Sequence, residues 1–132
     1  MRRSPWLIAL PLAGLAVAAP APAADATDTV SFQHDVLPIL QERCSACHSP
    51  GGVGYISINL DLRSYEGLKA GSAAGVTVIP FHADRSPLIR VLSDAWRSPD
   101  QNALRMPPLG PQLPNDEIDL ISKWIDQGAK NN

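Results

Sequence analysis

The chain has 132 residues and a formal net charge of −2, which suits one domain with a modest apolar core. Its few basic residues are dispersed and form no basic stripe, so nucleic acid is excluded as a class of partner.

The first 23 residues have the pattern of a secretory signal peptide. Arg2 and Arg3 give a positive start, residues 7–19 are apolar, and residues 21–23 supply small residues at the cleavage position. The apolar run is shorter than the roughly 20 residues that a membrane-spanning helix needs. We therefore predict cleavage after Ala23, export to a bacterial periplasm and no membrane span in the mature protein.

Residues 24–30 are small and polar and are predicted to form a flexible lead-in to a single domain over residues 31–130. Apolar positions at helical spacing, separated by segments rich in glycine and proline, predict three or four helices, long loops and almost no strand. The fold class is therefore mainly α. So much loop in a small helical domain usually wraps a ligand.

The first predicted helix leads directly into Cys44. Asp35 is its predicted N-cap, which places Pro38 in the first turn, where the missing N–H costs nothing. If the helix begins at Ser31 instead, Pro38 would kink it.

Three further helices have start or stop signals in the sequence. Ser64 is predicted to cap a short helix, Ser86-Pro87 to begin the next, and Asn115 to cap the last, which Gly128 ends. No helix is expected in the glycine-rich residues 50–54, and the proline-rich residues 98–114 are expected to be a loop.

Cys44-Ser45-Ala46-Cys47-His48 is the most informative motif of the chain. Two thiols separated by two residues can add to the two vinyl groups on one edge of a porphyrin, and a histidine directly afterwards can ligate the iron. The motif predicts one covalently attached haem c, held by Cys44 and Cys47, with His48 as an iron ligand.

Other uses of two cysteines fit less well. A zinc site needs four ligands, and His34 and His82 lie at spacings that no zinc motif uses. A redox dithiol needs its first cysteine at a helix N-terminus, whereas this pair follows a helix C-terminus. A plain disulfide would leave His48 without a role.

Met106 is the predicted second axial ligand, because Met1 is lost with the signal peptide and no other methionine remains. It stands before two prolines, in a stiff loop rather than on an apolar helix face where a methionine would fill a core. His82 is the rival ligand. His34 precedes the helix that leads to the haem and is expected to lie away from the distal side.

Two groups of side chains have weaker assignments. Arg63, Arg105 and Tyr65 are candidates to hold the haem propionates, although arginines are more often plain surface residues. Trp124 and Phe32 would either form part of the haem pocket or pack the first helix on the last, and we favour the packing.

With these motifs the sequence resembles the small monohaem cytochromes c of the class I type, in particular the bacterial planctomycete-type cytochrome c domain. The matching residues are Phe32, Asp35, Val36, Pro38 to Leu40, Cys44 to His48, Leu60, Leu62, Ser86 to Leu88, Met106 to Pro108, Ile118, Trp124, Ile125, Gly128 and Ala129. The resemblance implies a fold in which the N- and C-terminal helices cross and the haem lies in a pocket closed by the Met106 loop.

The function predicted from the sequence is one-electron transfer in the periplasm, not catalysis, because an iron with both His48 and Met106 bound has no open position for a substrate. Redox proteins are the expected partners, and the chain is expected to be a monomer unless it docks in a complex. Two alternatives stay open: a haem subunit permanently docked to a dehydrogenase or oxidase, and a haem sensor or enzyme with a labile distal ligand.

Overall fold

Short helices make up the regular structure of residues 29–93 and 105–132, which the computed structural model describes. In chain order they are a π-helical turn Phe32–Val36, α1 Leu37–Arg43, α2 Val53–Ile58, α3 Tyr65–Ala70, a 3₁₀ turn Ala83–Arg85, α4 Pro87–Leu92 and α5 Asn115–Asp126. The described residues form no strand beyond one isolated bridge between Ser72 and Gly75. The mainly α class is confirmed.

Several predictions concern residues outside these ranges. They are the signal peptide over residues 1–23, the lead-in up to residue 28, and the part of the predicted loop that precedes residue 105. Within the described ranges, every helix is too short or too polar to span a bilayer.

Ser31 is the N-cap of the N-terminal helix, whose first residue is Phe32, so the prediction that Asp35 is the N-cap was wrong. The Ser31 hydroxyl accepts a hydrogen bond from the His34 N–H at 3.2 Å, and the Asp35 carboxylate accepts one from the Ser31 N–H at 2.7 Å. Each side chain thus satisfies a backbone donor that the helix itself leaves free. The alternative start at Ser31 is the one that the structure has.

Pro38 shapes the turn that precedes it. Because proline has no N–H, it cannot donate to the carbonyl four residues earlier. The chain forms a π-helical turn there, and the Leu37 N–H donates to the Phe32 carbonyl five residues before it. The helix therefore continues past Pro38, and α1 reaches Cys44 without a break.

The later helix boundaries agree closely with the sequence signals. The Ser64 hydroxyl caps α3 by accepting from the Gly67 N–H, and α4 begins at Pro87 as predicted. Asn115 is the first residue of α5 and makes no capping bond, so its assignment as the N-cap was wrong by one position. The helix ends before Gly128, whose positive φ of 104° suits glycine.

Three aromatic rings join the N-terminal helix to α3 and α5. The Phe32 ring centroid lies 5.2 Å from that of Tyr65 and 5.2 Å from that of Trp124. Phe32 and Trp124 are almost completely buried. The polar ends are satisfied as well: the Tyr65 hydroxyl donates to the Ala129 carbonyl, and the Trp124 indole N–H to the Lys130 carbonyl. Trp124 and Phe32 thus pack the first helix against the last, as the sequence favoured.

Hydrogen bonds join residues 30–32 to residues near the C-terminal end of the described domain. The Val30 N–H donates to the Gln127 side chain, the Phe32 N–H to the Asn132 side chain at 3.0 Å, and the Ser31 hydroxyl to the Asn132 carbonyl at 2.7 Å. Val30 is itself buried in the core. The packed unit therefore includes Val30 and Asn132, one residue before and two residues after the predicted bounds of 31–130.

Candidate cofactor site

The cysteine–histidine motif forms a tight turn at the end of α1. The Cys44 N–H still donates to the Leu40 carbonyl at 3.0 Å, so the motif starts from a helical position. The Cys47 and His48 N–H groups both donate to the Cys44 carbonyl, at 3.1 and 2.9 Å. Both cysteines are free thiols and half-buried. The turn presents two thiols and an imidazole from one short, well-fixed segment.

A short helix follows the motif, although its glycines led us to expect none. α2 begins after Gly52, and its Tyr55 N–H donates to the Cys47 carbonyl at 3.0 Å, which links it to the motif turn. Gly54 lies in this helix against the imidazole: a Cβ built on Gly54 would be 2.7 Å from His48 Cε1. The glycines here serve close packing rather than a loop, and this packing overrides their low helix propensity.

We expect Gly54→Ala to displace the His48 ring. Alanine is normally the better helix residue, but its Cβ would overlap the imidazole, and overpacking of this kind costs about 1–3 kcal/mol. Thermal unfolding of the haem-loaded protein should show the loss of stability, and its absorption spectrum should show altered ligation. Ser57→Ala, on an exposed position of the same helix, is the matched control and should change neither. A Gly54→Ala protein with the parent's stability and spectrum would contradict this packing.

The motif, Met106 and a set of aliphatic residues line one cleft. Its volume is about 240 Å³, and it opens to solvent. The described residues that line it are Arg43, Cys44, Cys47, His48, Ile58, Leu60, Leu62, Ser72, Ala74, Val76, Thr77, Pro87, Leu88, Val91, Leu92, Met106, Pro107 and Pro108. The wall is thus mostly apolar, with the predicted haem-binding residues set into it.

His48 is buried, and its imidazole is neutral at neutral pH. Desolvation lowers the pKa of its imidazole, which the Leu60 carbonyl partly opposes, so the neutral form prevails at neutral pH. Its Nδ1 is enclosed and has no hydrogen-bond partner of good geometry within the described residues. A neutral imidazole is the form that binds iron.

The pKa of the Cys44 thiol is raised, whereas the pKa of a reactive redox cysteine is lowered. Burial raises its pKa to about 11, the Glu117 carboxylate adds to the rise, and Arg43 opposes it. Redox dithiols instead have a depressed thiol pKa, which supplies the nucleophilic thiolate. The site therefore disfavours the redox-dithiol alternative.

The Met106 loop is fastened to α4. The Met106 N–H donates to the Val91 carbonyl at 2.8 Å, and the Gln112 side chain donates to the Pro107 carbonyl at 2.8 Å. Met106 is half-buried and packs against the core while it lines the cleft. These bonds hold the thioether in the same cavity as His48.

The rival histidines lie elsewhere. His82 and His34 are exposed and do not line the cleft. His34 contributes its backbone N–H to the Ser31 cap, and the His82 carbonyl accepts from the buried Ser86 hydroxyl. Neither imidazole competes with Met106 for the cavity in this structure.

The candidates for propionate binding do not line the cleft either. Arg63 forms a surface ion pair with Asp61 at 2.8 Å, and the Tyr65 hydroxyl donates a hydrogen bond to the Ala129 carbonyl. Arg105 donates through Nε to the Leu92 carbonyl at 3.4 Å. These three assignments find no support in the geometry.

Sequence reasoning missed Arg43, which is the one arginine among the described residues that line the cleft. Arg43 is the last residue of α1, and its Nη2 lies 3.1 Å from Glu117 Oε1 in the first turn of α5. The pair joins residues that are 74 positions apart in sequence, so no local pattern could have indicated it. The adjacency of Arg43 to Cys44 was the only available signal.

The residues that line the cleft suit a covalently held haem. Its apolar wall suits a flat macrocycle, both thiols are free, and His48 and Met106 are donors of the types that haem iron takes. Within the described part of the chain, no three His, Cys, Asp or Glu side chains meet closely enough to hold a bare metal ion. The donor set fits a haem better than a metal ion bound by the protein alone.

Comparison with known proteins finds a similarity over most of the chain. The chain is 29% identical over 128 residues to hydrazine synthase subunit alpha of Kuenenia stuttgartiensis. The match covers 80% of this chain but 16% of that subunit, so the chain spans about a sixth of its relative's length. No protein-family model and no solved structure matches the chain.

Proposed function

We propose that the chain is a c-type cytochrome that carries one electron at a time. Cys44 and Cys47 would bind one haem covalently, and His48 and Met106 would be its axial ligands. The observation that supports this most is that all four side chains line the same apolar cleft, although Met106 is far from the motif in sequence. When bound, the haem supplies an iron that alternates between Fe(III) and Fe(II).

The lining of the cleft supports electron transfer rather than catalysis. Its described residues include no carboxylate, and His48 is the single imidazole among them. With His48 and Met106 both on the iron, no described lining residue would remain as a carboxylate or imidazole that could serve as a general acid or base. The apolar wall favours the reduced, less charged iron, and methionine ligation acts in the same direction.

We propose that the protein functions in the bacterial periplasm. This proposal rests on the signal peptide expected over residues 1–23 and on the oxidising, extracytoplasmic setting in which haem c is attached. A docked subunit of a larger assembly is a second candidate. This candidate is favoured because the chain is similar to part of a protein that is named as a subunit.

The test is the mass of the exported protein, made in a host that attaches haem c. The intact protein should begin at Ala24 and carry one haem that acidic solvent cannot extract. Cys44→Ala combined with Cys47→Ala should abolish the attachment, because no thiol remains to form either thioether bond. Ser45→Ala is the matched control within the motif and should retain the haem. Free thiols, a disulfide or zinc in the parent protein would overturn the proposal.

A further inference from the structure

One charged pair stands at the edge of the cleft. Arg43 lines the cleft next to Cys44, and Glu117 holds it from α5 at 3.1 Å. Arginine keeps its positive charge at every relevant pH, and its pKa is raised further, chiefly by the hydrogen bond to Glu117. A permanent positive charge therefore lies beside the candidate haem, with its counter-charge on the last helix.

The pair is partly shielded from water. The side chains of Arg43 and Glu117 are 32% and 23% exposed, but Arg43 Nε and Glu117 Oε2 are enclosed and have no hydrogen-bond partner among the described residues. Charges that are shielded in this way are screened less by solvent and salt than surface charges are. The field of Arg43 is therefore felt inside the cleft.

The second ion pair of the described residues provides a contrast. Arg63 and Asp61 form an ion pair as well, at 2.8 Å. The Arg63 side chain is 52% exposed, however, and it does not line the cleft. Such surface pairs contribute little and are easily screened. Both arginines are paired with a carboxylate, but Arg63 is more exposed and does not line the cleft, which makes it the control.

We propose that Arg43 raises the reduction potential of the bound haem and that Glu117 is a positioning residue that limits this effect. The inference rests on the proposed haem function. Oxidation adds one positive charge to the iron, and a nearby fixed positive charge opposes that change. Glu117 keeps the guanidinium in place and cancels part of its field, because its negative charge favours the oxidised iron.

The experiment measures the midpoint potential of the haem-loaded protein and three variants. Arg43→Gln should lower the midpoint potential, and Glu117→Gln should raise it. Each change should shift the one-electron equilibrium about threefold, which corresponds to about 28 mV because 59 mV is a tenfold shift. The double variant should return towards the parent value, because both charges are gone. Arg43→Lys should stay close to the parent, since it retains the charge, and Arg63→Gln should leave the potential unchanged.

The pattern of signs separates a charge effect from a merely structural one. Loosened packing would expose the haem to water in every variant and shift all potentials the same way, so shifts of one sign in both single variants would overturn the inference. Equal shifts in Arg43→Gln and Arg63→Gln would also overturn it. Loss of the covalent haem in the parent protein would show in its mass and would refute the proposed function itself, whereas intact haem with unmoved potentials would refute only this inference.

Discussion

Met106→Ala should remove the weak far-red absorption band that a methionine–Fe(III) bond gives and should lower the reduction potential. The thioether favours Fe(II) more strongly than water or an imidazole does, and the Met106 loop has no other sulfur to replace it. Each 59 mV of the fall is about a tenfold change in the one-electron equilibrium. Spectra of both oxidation states and a redox titration would measure the two effects together.

The same variant should also open the iron to external ligands. The reduced parent protein is expected to bind carbon monoxide slowly, and Met106→Ala to bind it rapidly. His82→Ala is the matched control, because His82 is exposed and outside the cleft, and it should change neither spectrum nor potential. If His82→Ala disturbs the spectrum while Met106→Ala leaves it intact, the distal ligand is a histidine.

Trp124→Ala should cost about 3–5 kcal/mol of unfolding free energy, the usual range for removing a large buried aromatic side chain. Trp124 is 2% exposed, packs on Phe32 and Tyr65, and ties Lys130 through its indole N–H. The loss would be a large part of the roughly 5–15 kcal/mol that stabilises a typical domain. Denaturant unfolding of the haem-loaded variant would measure it.

Ile56→Ala provides the control for that loss. Ile56 is 72% exposed on α2, so its truncation opens no cavity and should change the stability by no more than about 0.5 kcal/mol. If the two variants were equally stable, the aromatic cluster would not be the centre of the core.

The cysteine–histidine motif and Met106 could be proposed as site residues from the sequence because short-range chemistry points to them, and their roles toward a haem stay predictions. A spacing of two residues between thiols and a histidine directly afterwards needs no knowledge of the fold, and one methionine in a stiff loop can be found by elimination. The structure places these residues in one cleft, which the sequence could only suggest. Haem attachment itself, the class I resemblance and the signal peptide stay predictions.

What the sequence could not indicate depends on contacts between distant residues. Gly54 signalled a loop locally, yet it packs in a helix against the His48 ring. Arg43 and Glu117 meet only because α1 and α5 are adjacent in the fold. The start at Ser31 was ambiguous for another reason: a π-helical turn that accommodates Pro38 has no clear sequence signal.

The hydrogen bonds between Asn132 and residues 30–33 have a consequence for architecture. They bring the two ends of the packed unit out of the same side of the molecule, next to each other. A unit with adjacent ends can be inserted into a surface loop of a host protein, or repeated in tandem along one polypeptide, without separating its first helix from its last. Residues 30–33 and Asn132 do not line the cleft, so joining a host chain at these ends would not touch the lining residues.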